Sequence, residues 1–520
     1  MKGLLMTQGN ASAPKSSTYL KLLVLTCSAV LVHGYHLGTD DAEIYLPAVK
    51  KFLDPALYPF GDEFFMTHGR LSLFSDTLGL SARALHLSVD TAAFAWHIFG
   101  IFLLLLASLR LLESCFEGQR ARWTGVSLLT AVLSVPVANT ALVIMDPYLT
   151  ARSISTPASI FAVSCLLSRS YKRALAWWLV TAFIHPQMSV YVLAFAVCLS
   201  LAHVRRRFPS LEPATAYGLA PAMLSPATLP HGFAMEPAQG PYREALMMRT
   251  YFFVGSWAWY EWCGALFPLA ILWGLASLPV RGTLPAFRAV CRTCAVLGGL
   301  SIAAALLISV PQRMQMFARL QPMRSLHLVY VILFLVLGAL TGEYLLDRRP
   351  LLRAALLYVP LGIGMWFVGA RTYPSSPHIE WPGLHWRSPY ISAFLWIKSN
   401  TPKDAVFAID PRYMNSPGVD EHGFRALAER SVLADYYKDS GAVSLFPQLA
   451  EEWKREVSAQ EGWEHFQPED YERLAGEFPV NWVVVEGTGP AGFECPYRDQ
   501  GVAVCRIPPA VAQQRAALQP

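Results

Sequence analysis

The chain has 520 residues, 54% of them hydrophobic and only 15% charged, with a mean hydropathy of +0.34 and a formal charge of +5. Soluble domains carry roughly 25% charged residues, so a wholly soluble globular protein is excluded. The basic residues sit in short clusters between apolar runs and form no continuous patch, which leaves no case for nucleic acid as a partner.

Leucine- and alanine-rich runs of about 20 residues recur through the first 370 positions, the length that crosses a hydrocarbon core of about 30 Å. In chain order they predict eleven spans, near residues 18–35, 91–112, 123–144, 154–168, 174–185, 187–203, 214–230, 257–279, 290–310, 325–346 and 351–370. His185-Pro186 interrupts the stretch 174–203, which reads either as one kinked span or as two helices meeting at IHPQM. Basic residues choose between these. Lys2, Lys15 and Lys21 precede the first span, and triplets follow at Arg110/Arg120/Arg122, Arg169/Lys172/Arg173, Arg205–Arg207, Arg281/Arg288/Arg292 and Arg348/Arg349/Arg353. With eleven spans every triplet falls on one side, the positive-inside pattern with a cytoplasmic N-terminus. The first 17 residues lack a small-residue cleavage pattern, so span one is expected to remain as an anchor.

Residues 36–90 then form a long first outer loop that mixes aromatics, leucines and charges at helical spacing, as surface-lying helices do. It opens on HLGTDDAEIYLP, with Asp40, Asp41 and Glu43 directly after the first apolar run. Carboxylates favour helix N-termini, so one reading makes these acids caps. Pro47 argues against a continuous helix from Asp41. The other outer connections carry Asp146 and Arg152 in MDPYLTARS, His185 in IHPQM, and Arg313, Arg319 and Arg324 in PQRMQMFARLQPMRSLH. Arginine is normally sparse on that side, so these three call for an anionic partner. Guanidinium forks suit phosphate oxygens, and a carboxylate can deprotonate an acceptor hydroxyl. Asp146 stands without a neighbouring carboxylate, a weak signal for a metal ligand.

After about Arg371 the character changes. ISAFLWIKSN reads as a helix ending before Pro402, AVFAID, RSVLADY, NWVVVEG and VAVCRI as short strands, and QLAEEWKREVS as a helix between them. A small α/β domain outside the cytoplasm, residues 371–520, is expected to follow a transmembrane domain of residues 1–370. Of nine cysteines, five are scattered in or beside apolar segments as packing residues, and Cys291-x-x-Cys294 lacks the second pair a metal site needs. Cys495 and Cys505 can pair if the tail lies in an oxidising compartment. The sequence contains no phosphate-binding loop, dinucleotide fingerprint, HExxH or GxSxG.

The stretch GTDDAEIYLPAVKKFL, with Asp40-Asp41 just after span one followed by Tyr45, Leu46 and Ala48, resembles the GT-C superfamily of integral membrane glycosyltransferases. The many spans, the long first outer loop and the tail's WIKSNTPKDAVFAID are similar to bacterial members of that group. The resemblance implies transfer of a sugar from a polyprenyl-phosphate donor to a lipid, glycan or protein acceptor, at the outer face of a bacterial inner membrane; with Asp146 a second acid or only a weak metal ligand, catalysis without metal or cofactor is expected. It implies Asp40 or Asp41 as general base. Charge and topology add Arg319 or Arg324 on the donor phosphate, with Glu43, Arg152 and His185 as further substrate contacts. No WWDxG-type motif occurs in the tail, which argues against the oligosaccharyltransferase branch. Two other readings stand beside this one: a non-catalytic protein that keeps the fold, and a transporter. Broken helices at IHPQM and APAMLSP suit a transporter, but no inverted repeat is visible and the spans hold almost no ionisable residues.

Overall fold

The computed structural model describes residues 16–207, 237–309, 311–346, 350–384, 388–499 and 501–508. The expected span at 214–230 and the basic residues Lys2, Lys15, Arg348 and Arg349 lie outside the described residues.

The chain runs through α1 (Ser16–His33), three short helices α2 (Ala42–Leu53), α3 (Glu63–Gly69) and α4 (Phe74–Ala84), then α5 (Val89–Cys115) and α6 (Gln119–Ala131). After an irregular stretch come α7 (Arg152–Leu167), α8 (Tyr171–Ile184) and α9 (Pro186–Arg207), then α10 (Gly240–Met247), α11 (Trp259–Ser277), α12 (Pro285–Ser309), α13 (Leu326–Tyr344) and α14 (Pro350–Thr372). Among the described residues five stretches are long and apolar enough to cross a membrane: Ser16–His33, Val89–Cys115, Pro285–Ser309, Gln312–Tyr344 and Leu352–Thr372. Arg152–Leu167 and Pro186–Leu201 are apolar but shorter. The protein is a mostly helical integral membrane protein. The eleven runs read from the sequence do not become eleven long helices.

The main departure is at 123–144. Helix α6 stops at Ala131, and the chain folds back on itself, with Val137 N donating to Leu142 O at 2.8 Å and an antiparallel bridge between Pro136 and Val143. Pro136 offers no N–H and disfavours helix before it, and Ala138 and Ala141 adopt positive φ. Irregular backbone among apolar helices is tolerated where protein surrounds it, and Val137, Leu142 and Ile144 are buried. The stretch 174–203 is two helices meeting at His185-Pro186. Pro47 sits inside α2 without ending it, contrary to expectation, as the helix's sixth residue. Its missing donor would have bonded Glu43 O, and that residue is tied elsewhere through its side chain.

Helices α6 and α13 pack with almost no side chain between them. A Cβ on Gly338 would lie 2.6 Å from the Leu128 Cβ and 2.8 Å from Thr124 O, and one on Gly125 would lie 2.7 Å from Leu335 O. With Gly342 four residues on, this is the small-residue spacing that lets membrane helices approach closely. Gly338→Val forces the backbones apart and should cost about 1–3 kcal/mol, read as a lowered unfolding temperature in detergent. Unchanged stability would show that the helices are not held at this distance.

The tail builds α15 (Pro389–Asn400), β1 (Val406–Ile409), α16 (Phe424–Ala428), β2 (Ser431–Val432), α17 (Lys438–Leu445), α18 (Ala450–Ala459), α19 (Pro468–Glu477), β3 (Trp482–Glu486), β4 (Glu494–Asp499) and β5 (Val502–Arg506). The sheet order is β2-β1-β3-β5-β4, parallel from β2 through β3 and antiparallel beyond. All four expected strands and the expected helices at 389–400 and 450–459 form; β4 was not anticipated. Its burial alternates only weakly, which leaves little pattern to read. A disulfide between Cys495 and Cys505 joins β4 to β5.

Helices α2 and α3, in the connection between α1 and α5, pack against this domain. Phe64 joins Ala434, Ala442 and Trp453 in one apolar cluster, and Ser431 Oγ bonds both the N–H and C=O of Phe60, at 3.0 and 2.8 Å. Buried Lys50 of α2 reaches Glu429 at 2.8 Å and Asp90 of α5 at 3.2 Å, and Lys398 reaches Glu429 at 2.7 Å. Burial alone would raise the Glu429 carboxyl; Lys50 and Lys398 outweigh it and hold it at about 2. A carboxyl depressed on folding stabilises fully above its unfolded value, 4.5, and loses that contribution as pH falls toward 2. Glu429→Gln should therefore flatten the fall of unfolding temperature between those pH values. An unchanged slope would remove Glu429 as its source.

Candidate active site

The loop that carries the aspartates, residues 34–41, leaves α1 and is gripped on two sides. Tyr35 N donates to His378 O at 3.0 Å, and Glu380 N donates to Tyr35 O at 2.8 Å. The buried Glu380 carboxylate accepts from Leu37 N at 2.7 Å and pairs with the His36 ring at 2.9 Å and the His422 ring at 3.0 Å. Burial works to raise that carboxyl, and the His422 charge and the two imidazole bonds hold it below its ordinary value. On the other side Gly423 N donates to Gly38 O at 2.8 Å and Asp40 N to Glu421 O at 2.9 Å. Asp40 takes a left-handed backbone, φ 52°, an uncommon conformation for a non-glycine residue that this grip enforces. The strain turns consecutive aspartates in different directions.

Asp40 Oδ2 accepts the Tyr148 hydroxyl at 2.7 Å, and its Oδ1 is in contact with Lys438 Nζ. Asp41 Oδ2 accepts from Arg152 Nη2 at 2.9 Å, and its Oδ1 stands 3.5 Å from Lys438 Nζ. Asp41 makes no capping bond to α2. Burial would raise its carboxyl; the Arg152 guanidinium, helped by Arg324, prevails and holds it below its ordinary value. Arg152, the first residue of α7, also bonds Asp146 through Nε at 3.0 Å, and Thr150 Oγ1 donates to the same Asp146 oxygen at 3.0 Å. That oxygen is committed to anchoring the arginine.

Asp41 and Arg152 open onto a cavity with a volume of about 90 Å3, partly open to solvent. Its wall includes Tyr45 and His68 from the first loop, His185 and Gln187 from the α8–α9 break, and Gln321 and Arg324 from the turn before α13. Arg249 and Tyr251 follow α10, and Lys438 and Ser444 come from α17 of the C-terminal domain. His68 bonds the Tyr45 hydroxyl at 3.2 Å, and burial lowers its imidazole to about 4, so it is a neutral hydrogen-bonding group. Arg324 lies over the Tyr251 ring, 5.6 Å from its centre. Arg249 donates to Tyr437 O and, at 2.8 Å, to Ser440 Oγ. Among the described residues neither Arg249 nor Arg324 has a carboxylate partner, and the Nε of each is buried without a hydrogen bond. Two guanidinium groups thus bring uncompensated charge into the cavity, beside an ionised aspartate.

Of the residues selected from the sequence, Asp41, Arg152, His185 and Arg324 share this cavity. Asp40 sits behind its wall. Glu43 points away: both its oxygens accept backbone N–H groups at the start of α16, from Arg425 at 2.9 Å and Ala426 at 2.7 Å. Arg319 is not on the wall, and its charge acts on Tyr242. Sequence reasoning missed Lys438, Arg249, Tyr148 and His68. For Arg249 the signal was available, because the eleven-span topology puts it in an outer connection like Arg324. Lys438 carries no local signal.

Residues 388–458, within the C-terminal domain, match a family described as a domain of unknown function, DUF6798. No curated protein matches the chain. Among solved structures, the cryo-EM structure of the arabinofuranosyltransferase AftD from Mycobacteria is similar with a TM-score of 0.40 at 13% identity. The match covers 95% of this chain and 40% of that one, so this chain spans less than half of that protein's length.

Proposed function

We propose that the protein transfers a sugar from a polyprenyl-phosphate donor to a lipid or glycan acceptor at the outer face of a membrane, with Asp41 as the general base. The carrying observation is one cavity that joins an ionised aspartate to two guanidinium groups without carboxylate partners. Arg249 and Arg324 bind the donor phosphate, for which their donor forks are suited. Tyr45, His68, Gln187 and Gln321 offer neutral hydrogen bonds to sugar hydroxyls. Asp41 accepts the acceptor proton while the acceptor oxygen attacks the anomeric carbon and the carbon–oxygen bond to phosphate breaks. The disulfide of the C-terminal domain suits an oxidising compartment, which supports an extracytoplasmic tail in a bacterial inner-membrane protein. The ion pairs of Arg152 and Asp146 make positioning, rather than metal binding, the role of Asp146.

Membranes carrying the protein and supplied with polyprenyl-phosphate sugars should show transfer. Arg249→Met and Arg324→Met should each raise the donor KM about tenfold or more, the scale of a charge-assisted hydrogen bond, with a smaller change in kcat. Arg319→Met, away from the wall, should leave both constants alone. Unaltered KM in both cavity variants would remove the phosphate assignment.

A further inference from the structure

Lys438 begins α17 in the C-terminal domain, yet its ammonium reaches the aspartate pair of the first loop. It contacts Asp40 Oδ1, stands 3.5 Å from Asp41 Oδ1, and lines the cavity. The other cation on Asp41, Arg152, is buried and anchored by Asp146. Lys438 is the one with a flexible stem and no second anchor of that kind among the described residues.

The charge balance of the transfer singles it out. A lipid phosphate esterified to a sugar carries one negative charge. When the anomeric bond breaks, its electron pair stays on the phosphate oxygen, and the lipid phosphate leaves with two. The acceptor's proton goes to Asp41, which becomes neutral. Negative charge therefore leaves the carboxylate beside Lys438 and appears on the phosphate in the same cavity. Burial lowers the Lys438 ammonium to about 7.

We propose that Lys438 is a catalytic residue contributed by the C-terminal domain: its ammonium turns from Asp40 and Asp41 to the departing phosphate oxygen as that oxygen gains its second charge. The proposal rests on the lipid-phosphate donor reading above. Asp40, held by Tyr148 and by its backbone bond to Glu421, is the resting dock of the ammonium. An interaction that strengthens as the leaving group charges lowers the barrier, whereas one felt equally by donor and product does not.

The test is equilibrium binding to the full chain in detergent, with two probes, farnesyl phosphate and its methyl ester. At about pH 7.5, above the second phosphate pKa of about 6, the first is mostly a dianion like the leaving group and the second a monoanion like the donor. The wild type should prefer the dianion by about tenfold or more. Lys438→Met should erase the preference while leaving monoanion affinity nearly unchanged, and Lys438→Arg should restore most of it. A preference that survives in Lys438→Met overturns the proposal. If that variant does not fold, Asp40→Asn decides. Freeing the ammonium from its dock should tighten dianion binding, and unchanged or weaker binding there overturns the idea. Failure of both probes to bind the wild type sinks the donor reading itself, a result distinct from binding without preference.

Discussion

Asp41→Asn is expected to lower kcat for sugar transfer about 10²–10⁴-fold, the usual contribution of a positioned general base, with little change in donor KM. Asparagine keeps the shape of the side chain and an oxygen for Arg152, and Arg152 retains Asp146, so the wall of the cavity survives the substitution. The lost property is the ability to take a proton. Asp40→Asn should cost less, because Asp40 lies behind the wall with its two oxygens on Tyr148 and Lys438. Since the Arg152 and Arg324 charges outweigh burial at Asp41, its carboxylate is ionised throughout the neutral range. The acid limb of kcat/KM should therefore fall below the ordinary aspartate value, 3.8. Full activity in Asp41→Asn with activity lost in Asp40→Asn would move the base to Asp40, and an acid limb near neutrality would point to another group altogether.

Glu43→Ala should destabilise the protein by about 1–3 kcal/mol, the cost of leaving buried N–H groups without an acceptor; burial raises the Glu43 carboxyl to about 8, so no buried ion pair is broken. The two N–H groups it satisfies open α16, and they lie in the interior between the first loop and the C-terminal domain. Without the Glu43 carboxyl group they are orphaned, while Arg425 keeps its own partner, Asp439, at 2.8 and 2.9 Å. The loss should appear as a lower unfolding temperature and as faster proteolysis between the first loop and the tail. Gly423→Ala should act at the same place, because a Cβ there would overlap the Glu43 carboxylate. Wild-type stability in Glu43→Ala combined with weakened donor binding would return Glu43 to the substrate. Because α17 and Lys438 belong to the undocked domain, transfer should fall along with stability.

The membrane character of the chain was legible because it depends on composition and run length alone. The strands at 406–409, 482–486 and 502–506 were legible because short β-branched runs between polar turns leave few alternatives. The run 123–144 misled because apolarity records burial and not conformation: the same residues that fill a lipid-facing helix also fill a reversed loop packed inside the protein. Pro47 misled for a related reason. Proline removes one hydrogen bond, and the packing of Tyr45, Leu46, Ala48 and Val49 on the amphipathic helix around it offsets that loss.

The sequence by itself determined that this is a membrane protein with a small α/β tail, that acids follow its first apolar helix, and that arginines recur in the connections between apolar runs. Each follows from local composition and from the membrane as a one-dimensional ruler. Only the tertiary structure decided which acid faces a cavity, and that the neighbouring glutamate caps a helix through N–H groups 382 and 383 residues away. It alone revealed that a lysine 397 positions downstream closes the site. A bond between groups so far apart leaves no periodicity and no local charge pattern, because its energy depends on a distance the chain sets only by folding. Asp40 and Asp41 are neighbours in every sequence window, and the left-handed Asp40, bonded through its N–H to Glu421, sends one carboxylate to Tyr148 and the other to Arg152, with Lys438 facing both.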